Sequence, residues 1–392
     1  MDKKKVLLLS AGHFSCDINS GALPVVIPYL QEAYALSYQA TGGIMFAYSL
    51  LTAITQPFFG LLSDRFSKPW LIPLGVLLAG CGLAFTGLVS SYWSVLVLVA
   101  LGGIGSALFH PPAAQFANRV AGSQKGLALS LFSIGGNAGF VIGPLLGTAI
   151  LGLFGLSGTL FFAFLALVTV LSLAYCIGHM DRVAAPGSGT GNKTKSVRGN
   201  NWKQFGRLTG AIITRTVVLS SIHAYLPLYW MHTFQQSKTA GALAVTLFGV
   251  FGVASNIVGG ILSDRWGQGR VLRLAFVPLA PALLLFSLAS SEGWAWVMLL
   301  FLGFSLYFGF SSMVVLGQQF LARNIGFASG VTLGLSTAMG GICAPIVGWI
   351  GDNWGLGASF QALAALALLG TILTFFIDAS ANAEQGSVNA AA

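Results

Sequence analysis

The sequence predicts an all-α integral membrane fold, twelve transmembrane helices in two pseudo-symmetric six-helix bundles, and three observations predict it. First, 55% of its 392 residues are hydrophobic and only 7% are charged, against the roughly one-quarter charged residues of an ordinary soluble domain. With a mean hydropathy of +0.82, a soluble fold is excluded. Second, apolar runs of the ~20 residues needed to cross a ~30 Å hydrocarbon core recur along the whole chain. Third, landmarks of the first half return in the second half 200 or 201 residues later.

The runs fall near 6–30, 41–62, 70–90, 94–117, 127–150 and 158–178, then near 208–231, 239–262, 271–290, 294–320, 327–350 and 357–378. The first carries Asp17, Asn19 and two prolines, with no small-residue cleavage pattern after a short core, so it is expected to remain as a helix and not to act as a signal peptide. The second and the eighth each end in a polar Ser-Asp-Arg loop, and the fifth and eleventh are rich in glycine around a proline. Between the sixth and seventh lies the longest hydrophilic stretch, rich in Gly, Ser, Asn, Lys and Arg; this composition is that of a flexible linker. The expected organisation is therefore an amino-terminal bundle over 1–180, a cytoplasmic linker over 181–207, a carboxyl-terminal bundle over 208–380 and a cytoplasmic tail over 381–392.

A net charge of +9 would suit a nucleic-acid partner, but its distribution excludes that reading. With the amino terminus placed in the cytoplasm, the Lys and Arg residues from Lys3 to Arg323 fall in or beside cytoplasmic loops, apart from Lys238 outside and Arg215 within a span. This is the positive-inside asymmetry, and it is expected to put both termini of a multi-pass membrane protein in the cytoplasm. Cys16, Cys81, Cys176 and Cys343 each sit alone in a span, with no spacing for a disulfide or a metal, and are expected as buried small side chains.

The internal repeat is explicit. Gly60-Leu61-Leu62-Ser63-Asp64-Arg65 recurs as Gly260-Ile261-Leu262-Ser263-Asp264-Arg265, and Gly139, Pro144 and Gly147 recur as Gly340, Pro345 and Gly348. Parallel halves of this kind place a ligand site at their shared interface near mid-membrane. The loop motifs resemble the signature of the major facilitator superfamily, which implies a conformational latch at Gly60, Asp64, Arg65, Gly260, Asp264 and Arg265. Gly139, Gly143, Pro144 and Gly147 resemble the helix-bending Gly-Pro motif of that superfamily's exporters. His13-x-x-x-Asp17, Gly105 to Pro111, Gly135-Gly136-Asn137 and Gly317-Gln318-Gln319 look like the fosmidomycin-resistance subfamily of drug exporters. Gln319 and Pro112 stand where many or some members carry an acid. The resemblance implies efflux of a small anionic or polar compound in exchange for protons.

Of ten acidic residues, Asp17 alone is expected near the middle of a span. An ionisable group at that depth is costly unless it lines a wet cavity or finds a partner, and His13 is one helical turn away on the same face. Burial disfavours the carboxylate and a nearby imidazole favours it, so Asp17 with His13 is the expected proton-coupling site. Arg215, the cation expected inside the membrane, His110 before Pro111-Pro112, and His223 are the expected substrate contacts, with Arg215 pairing with Asp17 as the competing role. Tyr225, Tyr229, Trp230 and His232 read as interfacial anchors.

No phosphate-cradling Gly-Lys-Ser/Thr loop is present, so a gradient drives the cycle, not ATP. No nucleophile triad or metal constellation stands out, and neither an enzyme nor a cofactor or metal is expected. The reading is a monomeric secondary transporter whose partners are a small-molecule substrate, protons and the lipid bilayer. Proton-coupled import of an organic anion or metabolite is the alternative.

Overall fold

The computed structural model describes residues 1–66, 69–122, 125–177, 199–324, 327–328, 331–332 and 336–378. Most of the expected linker and the whole of the expected tail lie outside them. The described residues form α1 (Lys3–Tyr34), α2 (Tyr38–Phe66), α3 (Leu71–Ala84), α4 (Tyr92–Val120), α5 (Lys125–Phe154), α6 (Leu160–Ile177), α7 (Trp202–Thr233), α8 (Lys238–Trp266), α9 (Gln268–Phe276), α10 (Leu279–Ser287), α11 (Glu292–Phe308), α12 (Phe310–Phe320) and α13 (Ser336–Phe375).

These helices fall on the twelve apolar runs once their breaks are understood. Pro278, which has no N–H to give, separates α9 from α10. Gly309 separates α11 from α12. Within α13 the chain turns at Gly355, whose φ of 83° belongs to a region that side chains avoid, so α13 is two helices. Seven helical stretches among the described residues are long and apolar enough to cross a membrane, two of them long enough to do so twice.

The outward faces carry what a soluble protein would hide. Trp93, Leu153, Phe164, Leu171, Ile257 and Leu368 are all exposed, a surface that only lipid covers without cost. Expected interiors sit beneath. In the amino-terminal helices Val6, Leu9, Ile72, Val76, Phe109, Phe132 and Leu173 close one core; Leu208, Ala211, Leu272, Ala275, Phe308 and Leu316 close a second in the carboxyl-terminal helices.

The chain divides into two compact units, Met1–Ala185 with His223–Thr246 and Ala344–Trp349 in one, and Pro186–Ile222, Leu247–Cys343 and Ile350–Ala392 in the other. Their boundaries cut α7, α8 and α13 partway along.

Within the first unit α1 is central, packing on α3, α4 and α6 and most extensively on α5, and nearly every residue from Gly12 to Pro28 is buried. Glycines make that contact close. A Cβ on Gly139 would lie 2.8 Å from the Phe14 carbonyl oxygen and one on Gly143 2.7 Å from that of Ile18, separations that backbone atoms cannot yield to. The second unit repeats the arrangement, where a Cβ on Gly340 of α13 would lie 2.6 Å from the Thr216 carbonyl oxygen of α7.

One expectation is corrected here. Tyr225, Tyr229 and Trp230 are not anchors at a lipid surface but are buried almost completely. They occupy the inward face of α7, where the Tyr225 hydroxyl lies 2.6 Å from the Ala344 carbonyl oxygen and 3.2 Å from that of Tyr38. His232 alone of the four is exposed. Cys16, Cys81 and Cys343 are free, the first buried and the others partly so; the side chain of Cys176 lies outside the described residues.

Candidate functional site

α1 presents His13 and Asp17 on one face, four residues apart, where helical neighbours meet. The His13 Nε2 lies 3.1 Å from the Asp17 Oδ2. α4 brings a third group that the sequence reading assigned to substrate: the His110 Nε2 lies 3.2 Å from the Asp17 Oδ1. Two imidazoles thus address the two oxygens of one carboxylate, whose side chain is only 7% exposed.

Each ring is held from its other nitrogen. The His13 Nδ1 lies 2.8 Å from the Phe132 carbonyl oxygen on α5, and the ring stacks on that of Phe132 with centroids 4.2 Å apart. The His110 Nδ1 lies 2.7 Å from the Ser106 carbonyl oxygen one turn earlier, and the two imidazoles meet edge to face at 5.1 Å. On the α5 side, Gly136 completes the enclosure. A Cβ there would lie 2.8 Å from the Asp17 Oδ2 and would collide with the His13 ring.

Sequence reasoning missed the polar residues one turn further on. Asn19 donates to the Ser15 and Cys16 carbonyls, and the Ser20 and Tyr48 hydroxyls are hydrogen-bonded to each other. The available signal was the polar residues Asp17, Asn19 and Ser20 close together in an apolar span. Asn19, Leu23 and Tyr48 line a cavity with Ala79, Leu83, Val99 and Gly102. Among the described residues, His13, Asp17 and His110 are the one group with the imidazole and carboxylate atoms a metal would need. Their N···O separations are those of hydrogen bonds.

Arg215 is buried in the second unit. Its Nε donates to the Leu306 carbonyl oxygen, and its guanidinium faces the rings of Phe310 at 5.5 Å and Tyr307 at 5.9 Å, both within cation–π range. His223 lies half-buried on the same helix, eight residues beyond Arg215. Of the expected latch, Gly60, Asp64 and Arg65 lie in the last turns of α2 and Asp264 in α8, but their side chains lie outside the description. A Cβ on Gly260 would meet the Ser311 Oγ at an ordinary 3.7 Å, and Arg265 is exposed.

A bundle of membrane-crossing helices with a buried ionic cluster defines a polytopic membrane protein of the transporter class. The chain belongs to the Major Facilitator Superfamily, whose family model matches residues 9–342. It is 29% identical over 375 residues to the Fosmidomycin resistance protein of Escherichia coli, covering 94% of this chain and 92% of that one. It is 27% identical to the MFS-type transporter YfnC of Bacillus subtilis, over 95% and 92% of the two chains. Multidrug resistance protein MdtG of Escherichia coli is 25% identical over 67% of each chain. The fold is similar to that of a bacterial homolog of the human lysosomal transporter Spinster, crystallised in an inward-facing, occupied conformation, with a TM-score of 0.82 at 16% identity over 97% of both chains. It is also similar to that of the nucleoside transporter NupG, with a TM-score of 0.78 at 12% identity over 95% and 99%.

Proposed function

We propose that this transporter exports a small anionic organic compound by alternating access, in exchange for protons carried at Asp17. The observation that carries the reading is the His13–Asp17–His110 cluster, a buried carboxylate whose two oxygens face two imidazoles. A group that must be neutralised or paired at membrane depth is a natural proton carrier. Linkage makes the coupling reciprocal: a substrate that binds less well to the protonated form must release protons when it binds.

Several features support the rest of the reading. Arg215, whose Nε donates to the Leu306 carbonyl beside the Phe310 ring, would offer its other guanidinium N–H groups to an anion, and His223 lies further along the same helix. Export is favoured by the resistance-type relatives and by the Gly139–Gly147 motif. Asp64 and Asp264, with Gly60, Arg65, Gly260 and Arg265, would form contacts in one access state and so bias the cycle. The chain works as a monomer in a bacterial inner membrane, with both termini and the 181–207 linker in the cytoplasm.

The test uses everted membrane vesicles energised by a pH gradient, with fosmidomycin as the first probe in a panel of small phosphonates and carboxylates. Accumulation by the wild type should collapse on adding a protonophore and be absent in Asp17→Asn, which should still bind the probe. Undiminished gradient-driven accumulation by Asp17→Asn would overturn the proposal.

A further inference from the structure

The hydrogen bonds at the far side of each imidazole count the protons in the cluster. A carbonyl oxygen has no proton to give. The His13 Nδ1–H must therefore donate to the Phe132 carbonyl, and the His110 Nδ1–H to the Ser106 carbonyl. That leaves Nε2 of each ring as the nitrogen that gains or loses a proton, and each Nε2 faces a different oxygen of Asp17, at 3.1 and 3.2 Å.

Each of these two N···O contacts is a hydrogen bond only when a proton lies in it. With no proton, two nitrogen lone pairs face a carboxylate and both contacts are repulsive. With one proton, one contact is satisfied and the other still sets lone pair against lone pair. Two protons satisfy both, giving two imidazolium groups that share one carboxylate counter-ion, so neither cation is unpaired. A third proton would set an O–H against an N–H in the same contact.

Among the described residues, the neighbouring elements supply no competing charge: the other titratable groups within electrostatic reach of Asp17 are Cys16 on α1 and Tyr48 on α2. α5 brings Gly136 to the carboxylate, its one charged residue, Lys125, standing at its first position. α3 and α6 contain no Asp, Glu, Lys, Arg or His, and on α4 the other charged residue, Arg119, stands in the last turn.

We infer that the cluster holds two exchangeable protons, one in each Asp17–imidazole contact, with His110 as the second carrier. This rests on the coupling role proposed above and gives it a capacity of two protons per cycle.

Proton uptake by the purified full-length chain is the measurement, stepped in weak buffer from about pH 10 to about pH 5, a range that brackets the imidazole group. It compares the wild type with His13→Gln, His110→Gln and the chain carrying both substitutions. Glutamine keeps an amide donor towards Asp17 but takes up no proton. Uptake should exceed that of the double variant by two protons per chain in the wild type and by one in each single variant, the remaining groups cancelling in the difference. If His13→Gln does not fold, His110→Gln alone should still fall one proton below the wild type. A wild-type excess of one over the double variant, or uptake by His110→Gln equal to that of the wild type, would overturn the inference. The count needs no substrate, so it separates the two proposals. Two protons without gradient-driven transport would remove the coupling role alone, and gradient-driven transport with one proton would remove the second carrier alone.

Discussion

Gly136 has no chemistry of its own, yet the cluster depends on it, because any side chain there would occupy space held by His13 and Asp17. Gly136→Ala should therefore destabilise the chain by about 1–3 kcal/mol, the usual cost of overpacking a dense interior, and should depress gradient-driven transport. Thermal unfolding in detergent alongside vesicle transport checks both, and wild-type values in each would mean that α5 yields without disturbing the site. Arg215→Leu should cost about 1.5–3 kcal/mol of charge-assisted bonding to an anion, about ten- to a hundredfold in Kd. Binding of fosmidomycin and of its neutral phosphonate diester gives the comparison, and equal losses for both would make Arg215 part of the scaffold. The pairing of His13 with Asp17 was legible in the sequence because helical spacing alone puts them on one face. His110 was not, since 93 residues separate it from Asp17 and only the packing of α4 on α1 makes them neighbours.

At the scale of elements, the glycine motif of α5 is foremost a packing surface, with Gly139 and Gly143 set against the backbone of α1, and α13 repeats this against α7. The repeat in sequence thus corresponds to a repeat in contact. Burial of Tyr225 could not be read from composition, because an aromatic residue near a span end suits either an interface or a packed inner face. At the end of α1, Glu32 pairs with Lys238 of α8, whose ammonium lies 4.0 Å from the centre of the Tyr29 ring. Lys238 holds the Glu32 carboxyl below its ordinary value. A carboxylate depressed on folding contributes stability that is present above its unfolded pKa and fades as pH falls through the folded one. Glu32→Gln should accordingly lower the unfolding temperature slightly at neutral pH, in low salt more than in high salt. The difference should vanish below the carboxylate range. A difference that persists at acid pH would assign the effect to packing on Tyr29 and not to charge.

Across the whole molecule, the apolar exterior and the two cores describe a chain whose solvent is lipid, and the Lys/Arg asymmetry is the ground for its proposed orientation. A cysteine introduced at Ser237 should react with a membrane-impermeant reagent added outside intact cells, and one at Ser188 should not. Labelling of Ser188 alone would reverse the proposed topology. The internal symmetry is uneven in chemistry: the ionic cluster stands on α1, whereas the matching helix α7 carries Arg215 among aromatic rings. Under the proposed function, the cluster on α1 would carry the protons and Arg215 on α7 would meet the anion.

What the sequence determined by itself was everything that local composition and period encode. It specified a membrane fold, the twelve apolar runs, the duplication, and a mid-span acid with a histidine one turn away. These properties depend on neighbours within a helix or on solvent preference, and both are written in order along the chain. Only the tertiary structure decided that Asp17 has a second imidazole partner from α4, that Gly136 closes the cluster, and that Tyr225 is buried. Each of those depends on which helix faces meet, and the near-uniform apolarity of membrane helices erases the pattern that would have revealed their inward sides.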